Sequence, residues 1–166
     1  IIEAYQSWSS GVETPGRISP DVVIVFDTMW KSTELMAEAI CDELGKLGHS
    51  VNLYNIAGTD YSDIIREVME AKAFLVGSPT MNNSILPSLS PIMDALKGLK
   101  PIGKIGAAFG SHGWRGGAVP ELVSMLSEAG IKPIETALAV EWVPGEADIE
   151  ACRGLAQDLD KALKAL

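Results

Sequence analysis

The residues most able to do chemistry lie in three short segments. The first is Asp27-Thr28-Met29-Trp30-Lys31-Ser32-Thr33, which follows an apolar run and opens into a helical pattern. The amides at a helix start lack partners within the helix, and its dipole favours an anion there. Thr28, Ser32 and Thr33 add three hydroxyls and Lys31 a cation, a donor set suited to a phosphate. Ser32 or Thr33 acting as a plain N-cap is the competing reading, since hydroxyl caps are common. Yet Leu35 and Met36, not Glu or Gln, stand where a capping box would need them. The second segment is Gly77-Ser78-Pro79-Thr80-Met81-Asn82-Asn83-Ser84. The third, Gly110-Ser111-His112-Gly113-Trp114-Arg115-Gly116-Gly117, sets four glycines around a Trp, so that backbone can approach a flat ligand while an indole covers it.

The elements that must position these segments alternate strand and helix. Continuous apolar or β-branched runs predict strands over Val22–Phe26, Val51–Asn55, Ala73–Gly77, Lys104–Phe109 and Ala137–Glu141. Thr33–Leu47 puts Met36, Ile40, Leu44 and Leu47 on one helical stripe and stops at Gly48. Further helices are expected over Tyr61–Glu70, with Asp60 as N-cap, and over Leu86–Leu96 and Ala118–Ala129, with Gly98 and Gly130 as stops. A last helix runs from about Asp148 to Leu166. Such alternation predicts an α/β fold: a doubly wound parallel sheet of five strands in the order 2-1-3-4-5, with helices on both faces. Ligands in such sheets bind beyond the carboxyl ends of the strands, where all three segments fall.

A chain of 166 residues has the length of one domain. Thirteen basic against 22 acidic residues, a formal charge of -9, argue against nucleic acid or an anionic membrane as partner. Cys41 and Cys152 have no partner at metal-ligand spacing, which suggests neither a zinc site nor a disulfide framework and favours a reducing, cytoplasmic setting. No apolar stretch has the length of a membrane span, and no signal region opens the chain. The polar, turn-rich run from Ser9 to Gly16 reads as a linker after a segment holding Tyr5 and Trp8. Residues 1–20 are therefore expected to be the end of a preceding domain plus linker, and residues 21–166 the folded domain. A chain opening on Ile1 is read as part of a larger protein.

Taken together, the three segments resemble the flavin loops of flavodoxins. Thr28-Met29-Trp30-Lys31-Ser32-Thr33 looks like the phosphate loop, Ser78-Pro79-Thr80 like the second loop, and Gly110-Ser111-His112-Gly113-Trp114-Arg115-Gly116-Gly117 like the third. Within that family the chain most resembles the C-terminal part of A-type flavoproteins, the flavodiiron proteins. The resemblance implies one non-covalent FMN held by these loops, with Met81, Asn82 and Asn83 completing the second and Trp114, Trp30 and Trp142 as candidates to flank the ring. It also implies a flavodoxin-like domain relaying electrons to a diiron site, which reduces dioxygen or nitric oxide in a preceding metallo-β-lactamase-like domain. The implied donor is rubredoxin or another reductant, and the implied parent a cytoplasmic homo-oligomer. With only His49 and His112, this chain is expected to carry neither the metal site nor catalytic residues of its own, and His49 reads as a surface residue.

The sequence departs from the family pattern at Trp30 and Lys31, where flavodoxins carry Thr and Gly; a glycine needed for a positive φ would be missing. Two flavin alternatives are a free-standing flavodoxin and an NAD(P)H:quinone reductase. A receiver-type signalling domain shares the topology. However, it needs clustered carboxylates after strand one and an acceptor Asp after strand three, where this chain has Asp27 alone and Gly77-Ser78-Pro79.

Overall fold

The computed structural model describes residues 19–166. The expected linker and the segment with Tyr5 and Trp8 lie outside these residues. Strands β1 (Val22–Phe26), β2 (Val51–Asn55) and β3 (Ala73–Gly77) coincide with the predicted apolar runs. They alternate with helices α1 (Ser32–Lys46) and α2 (Tyr61–Glu70), followed by α3 (Ser90–Leu99), β4 (Ile105–His112), α4 (Ala118–Glu128), β5 (Lys132–Pro133), β6 (Leu138–Glu141) and α5 (Glu146–Lys164). The sheet is parallel, in the order β2-β1-β3-β4-β5, with β6 also paired to β4.

Period-two alternation divides the strands between two cores. Val23, Val25, Phe74, Val76 and Ala108 pack with Ile64, Val68, Ile92, Leu96, Leu122 and Leu126 of α2, α3 and α4. Val22, Ile24, Leu75, Ala107 and Phe109 pack with Met36, Ile40, Leu44, Leu155 and Leu159 of α1 and α5. Both faces are covered, which is why the strands read as unbroken apolar runs. Fully burying each large side chain is worth about 1.5–3 kcal/mol. Burial in the second core pushes the Cys152 thiol up to about 11, and burial likewise raises Cys41; both cysteines are free.

Four expectations change. Six strands replace five, because the last edge position is built from two pieces. Lys132 and Pro133 pair with Ile105 and Gly106, and Leu138–Glu141 resumes opposite Phe109–His112. Pro133 donates no hydrogen bond and is tolerated at an edge. β4 extends beyond the predicted Phe109, so Ser111 and His112 are strand residues, held by pairing with β6. The helix expected from Leu86 starts at Ser90 after a short 3-10 turn over Pro87–Leu89, and Gly98 lies inside it; Lys100, at φ 50°, ends it. Gly48 and Gly130, at φ 94° and 82°, do stop their helices, and Asp60 caps α2 by accepting from Ser62 N.

His49 is the fourth change. Its side chain is mostly buried, with Nε2 2.9 Å from Asp160 Oδ1, while Lys164 Nζ donates to Asp160 Oδ2 at 2.8 Å. This ties the turn before β2 to the end of α5. The Lys164 ammonium, and then His49, hold the Asp160 carboxyl below the ordinary carboxylate range. A carboxyl with a depressed folded pKa adds stability above its unfolded value, near 4, and loses it as pH falls through the folded value. Urea midpoints at about pH 6 and about pH 3 are therefore expected to drop more for the wild type than for Asp160→Asn. Equal drops would show that Asp160 has no part in the acid sensitivity.

Candidate functional site

The carboxyl ends of β1, β3, β4 and β6 bring the three segments to one edge of the sheet. Asp27 N donates to Gly77 O at 3.2 Å, continuing the β1–β3 ladder, and Asp27 Oδ1 accepts from Thr28 N at 2.7 Å. Asp27 Oδ2 accepts from Ser88 Oγ. The chain then turns through Met29 and Trp30, both exposed, to Lys31. Lys31 adopts φ 66°, ψ -3°, the left-handed conformation, and immediately precedes α1. A lysine thus takes a left-handed turn that its side chain disfavours, at a cost of about 1–2 kcal/mol.

Neither Ser32 nor Thr33 caps the helix. They are its first two residues and are buried, with Thr33 Oγ1 3.4 Å from Ser111 Oγ of β4. The N-cap position, Lys31, offers no side-chain bond to the first-turn amides, which have no acceptor within the helix. At the same turn Thr28 Oγ1 is buried and has no hydrogen-bond partner. An orphaned hydroxyl of this kind costs about 1–3 kcal/mol. A positive helix end, free amides and an unpaired hydroxyl converge here.

The second segment stays joined to β4 past the end of β3. Ser78 N donates to Phe109 O at 3.1 Å and Thr80 N to Ser111 O at 2.8 Å. Ser78 and Pro79 are buried, and the Ser78 hydroxyl donates to Pro79 O and accepts from Leu86 N. Thr80 Oγ1 accepts from Ala118 N at 3.2 Å, capping α4 from a distant loop. Met81 and Ser84 exchange two backbone bonds of 3.0 Å across Asn82 and Asn83, whose φ values of 52° and 63° fit a type I′ turn. Glu121 Oε2 accepts from Ser84 Oγ and Ile85 N, pinning that hairpin to α4.

Two of the four glycines of the third segment face backbone of the second. A Cβ on Gly110 would stand 1.9 Å from Ser78 O, and one on Gly117 2.0 Å from Asn83 O. The close approach is therefore of protein backbone to protein backbone, and it locks the second and third loops together. His112 Nδ1 is buried and, like Thr28 Oγ1, has no partner. Trp114 is 89% exposed and Trp30 85%, and Arg115 is exposed with no ion pair to a described residue.

A fourth wall, which sequence reasoning represented only by Trp142 as a possible flanking residue, follows β6. Trp142 N donates to His112 O at 2.7 Å, and the residue sits at φ 63°. Its ring meets Trp114 edge to face, with centroids 5.0 Å apart. A positive φ on a bulky residue is an outlier with no sequence signature. Among the described residues, four of the five non-glycine residues with positive φ (Lys31, Asn82, Asn83, Trp142) border this one edge, and two of them, Lys31 and Trp142, are of types that are strained there. Among the described residues no group of three or more His, Cys, Asp or Glu is placed to hold a metal ion, and no helix is long and apolar enough to cross a membrane.

Comparison with known proteins gives one consistent picture. The flavodoxin family model matches residues 24–154. The chain is 45% identical over 160 residues to a nitric oxide reductase of Moorella thermoacetica, covering 96% of this chain and 39% of that protein. The rubredoxin oxygen:oxidoreductase structure from Desulfovibrio gigas superposes with a TM-score of 0.85 at 40% identity, over 89% of this chain and 37% of that one. The flavodiiron protein from Giardia intestinalis gives a TM-score of 0.87 at 26% identity, over 99% of this chain and 40% of that one. The chain thus spans about two fifths of the length of these larger proteins.

Proposed function

Since the chain belongs to the flavodoxin family, we propose that residues 21–166 are the FMN-binding electron-transfer domain of a flavodiiron-type oxidoreductase. In this reading the domain passes electrons to a diiron site in a preceding metallo-β-lactamase-like domain, where nitric oxide or dioxygen is reduced. The names of the Moorella and Desulfovibrio relatives support that acceptor pair, and the latter's supports rubredoxin as the class of donor. A homo-oligomeric parent in the cytoplasm completes the proposal.

The observation that carries FMN is the unpaired, buried Thr28 Oγ1 beside the free first-turn amides of α1. Those donors fit a phosphate: Thr28, Ser32 and Thr33 supply hydroxyls, Ser32 and Thr33 add first-turn N–H groups, and Lys31 adds charge at the rim. The second loop, Ser78 to Asn83, and the third, Ser111 to Gly117, line the space for a flat ring. Their mutual locking preorganises them, which lowers the cost of binding. In this reading Trp114 covers the ring and excludes water, and the buried, unpaired His112 Nδ1 is a polar group available to the ligand. FMN supplies one- and two-electron redox chemistry when bound.

Fluorescence titration of the purified chain with FMN is expected to saturate at one equivalent. Thr28→Val should then act with opposite signs on two measurements. Removing an orphaned hydroxyl while keeping the shape stabilises the free protein by about 1 kcal/mol, and FMN binding weakens by roughly tenfold for the lost hydrogen bond. Loss of stability together with unchanged affinity would place the phosphate elsewhere, and absence of saturable binding would overturn the FMN reading.

A further inference from the structure

Trp142 combines three features that local packing alone does not require. Its backbone is held at φ 63°, where a bulky L-residue is strained. Its amide donates to His112 O at 2.7 Å, anchoring it to the end of β4 where the third loop begins. Its ring lies against Gly113, whose added Cβ would be 3.2 Å from two ring carbons, and meets the Trp114 ring edge-on at 84°. The indole nonetheless remains 53% exposed, so burial of apolar surface does not account for the strained pose. What the pose achieves is contact with two successive residues of the third loop. Trp114 is otherwise almost free of the protein at 89% exposed, and a residue that exposed lacks a fixed rotamer unless a neighbour supplies one.

We propose that Trp142 is a positioning residue: it holds Trp114, and with it the loop from Gly113 to Gly117, in the pose from which the Trp114 indole covers the bound flavin. The proposal rests on the FMN reading above. Trp142 acts through Trp114 and preorganises the loop, so its removal costs ordering at the moment of binding. Gly113 is the matching element, because a side chain there would push the Trp142 ring away.

Glycine and asparagine both accept the left-handed backbone, so Trp142→Gly and Trp142→Asn delete the ring without adding strain. Trp142→Phe keeps an aromatic edge partner. The two ring deletions are expected to weaken FMN by about tenfold, and Trp142→Phe to stay within about threefold of wild type. In a Trp114→Ala background, Trp142→Gly is expected to change FMN affinity by less than about twofold, because the residue it positions is gone. Additive losses in that double-mutant cycle, or wild-type affinity in both ring deletions, would overturn the proposal. A readout without FMN separates this failure from that of the FMN reading. With Trp8 and Trp30 replaced by phenylalanine, Trp114 emission anisotropy is expected to be higher in Trp142→Phe than in Trp142→Gly. Equal values would show that Trp142 does not hold Trp114, whether or not flavin binds.

Discussion

Replacing Gly110 by alanine is expected to lower the unfolding free energy by about 3 kcal/mol, the upper end of ordinary overpacking. The added methyl would stand 1.9 Å from Ser78 O and 3.0 Å from Ser78 C. Neither atom can swing aside as a side chain would. Ser78 is itself fixed by its N–H, which donates to Phe109 O at 3.1 Å, and in the next pairing Thr80 N donates to Ser111 O at 2.8 Å. Relief therefore requires β3 and β4 to part where the second and third loops begin. Thermal unfolding should show a fall of about 6–12 °C in Tm. Gly45→Ala serves as the control: it lies within α1 with nothing within 4 Å of the new methyl, and alanine is expected to stabilise the helix by about 0.5–1 kcal/mol. A loss below about 1 kcal/mol at Gly110 would mean that the two strands separate easily, and that the loops are not locked.

The largest effect on ligand binding is expected from Ser32→Ala combined with Thr33→Ala. Both residues are buried at the first two positions of α1, and neither serves as its cap. If they donate to the FMN phosphate, their joint loss removes two hydrogen bonds to a charged group. That weakens FMN by at least about tenfold, each decade being about 1.4 kcal/mol, with up to a hundredfold within reach. Thr33 also approaches Ser111 at 3.4 Å, so the stability of the free variant must be measured alongside its affinity. An unchanged dissociation constant in a variant of unchanged stability would remove the phosphate from this turn.

The sequence by itself determined the layers. Val22–Phe26 and Ala73–Gly77 announce central strands, because residues buried on both faces must all be apolar. The stripe of Met36, Ile40 and Leu44 announces α1, because a helix covering a sheet buries one face. Right-handed crossovers narrow the strand order to a few doubly wound arrangements, 2-1-3-4-5 among them, and in these the three chemically unusual segments lie beyond the carboxyl ends of the strands. These are local or topological regularities, legible without knowing any contact.

Contacts between distant residues were decided only by the tertiary structure. The broken edge strand is invisible because Lys132 and Pro133 carry no apolar signal; their strand character comes from Ile105 and Gly106 beside them. Ser111 and His112 look like loop residues until β6 pairs with them. Gly110 and Gly117 signalled close approach, but what approaches is the carbonyl of Ser78 and of Asn83, more than thirty residues away in sequence. His49 looks like a surface residue until α5 brings Asp160 to it across 111 positions. Lys31 and Trp142 hold left-handed backbones that their own side chains disfavour, because the surrounding packing outweighs a local preference of about 1–2 kcal/mol. Propensity and periodicity act over a few residues and set the elements. The site's geometry is the sum of many contacts between those elements, and that sum exists only once they are packed.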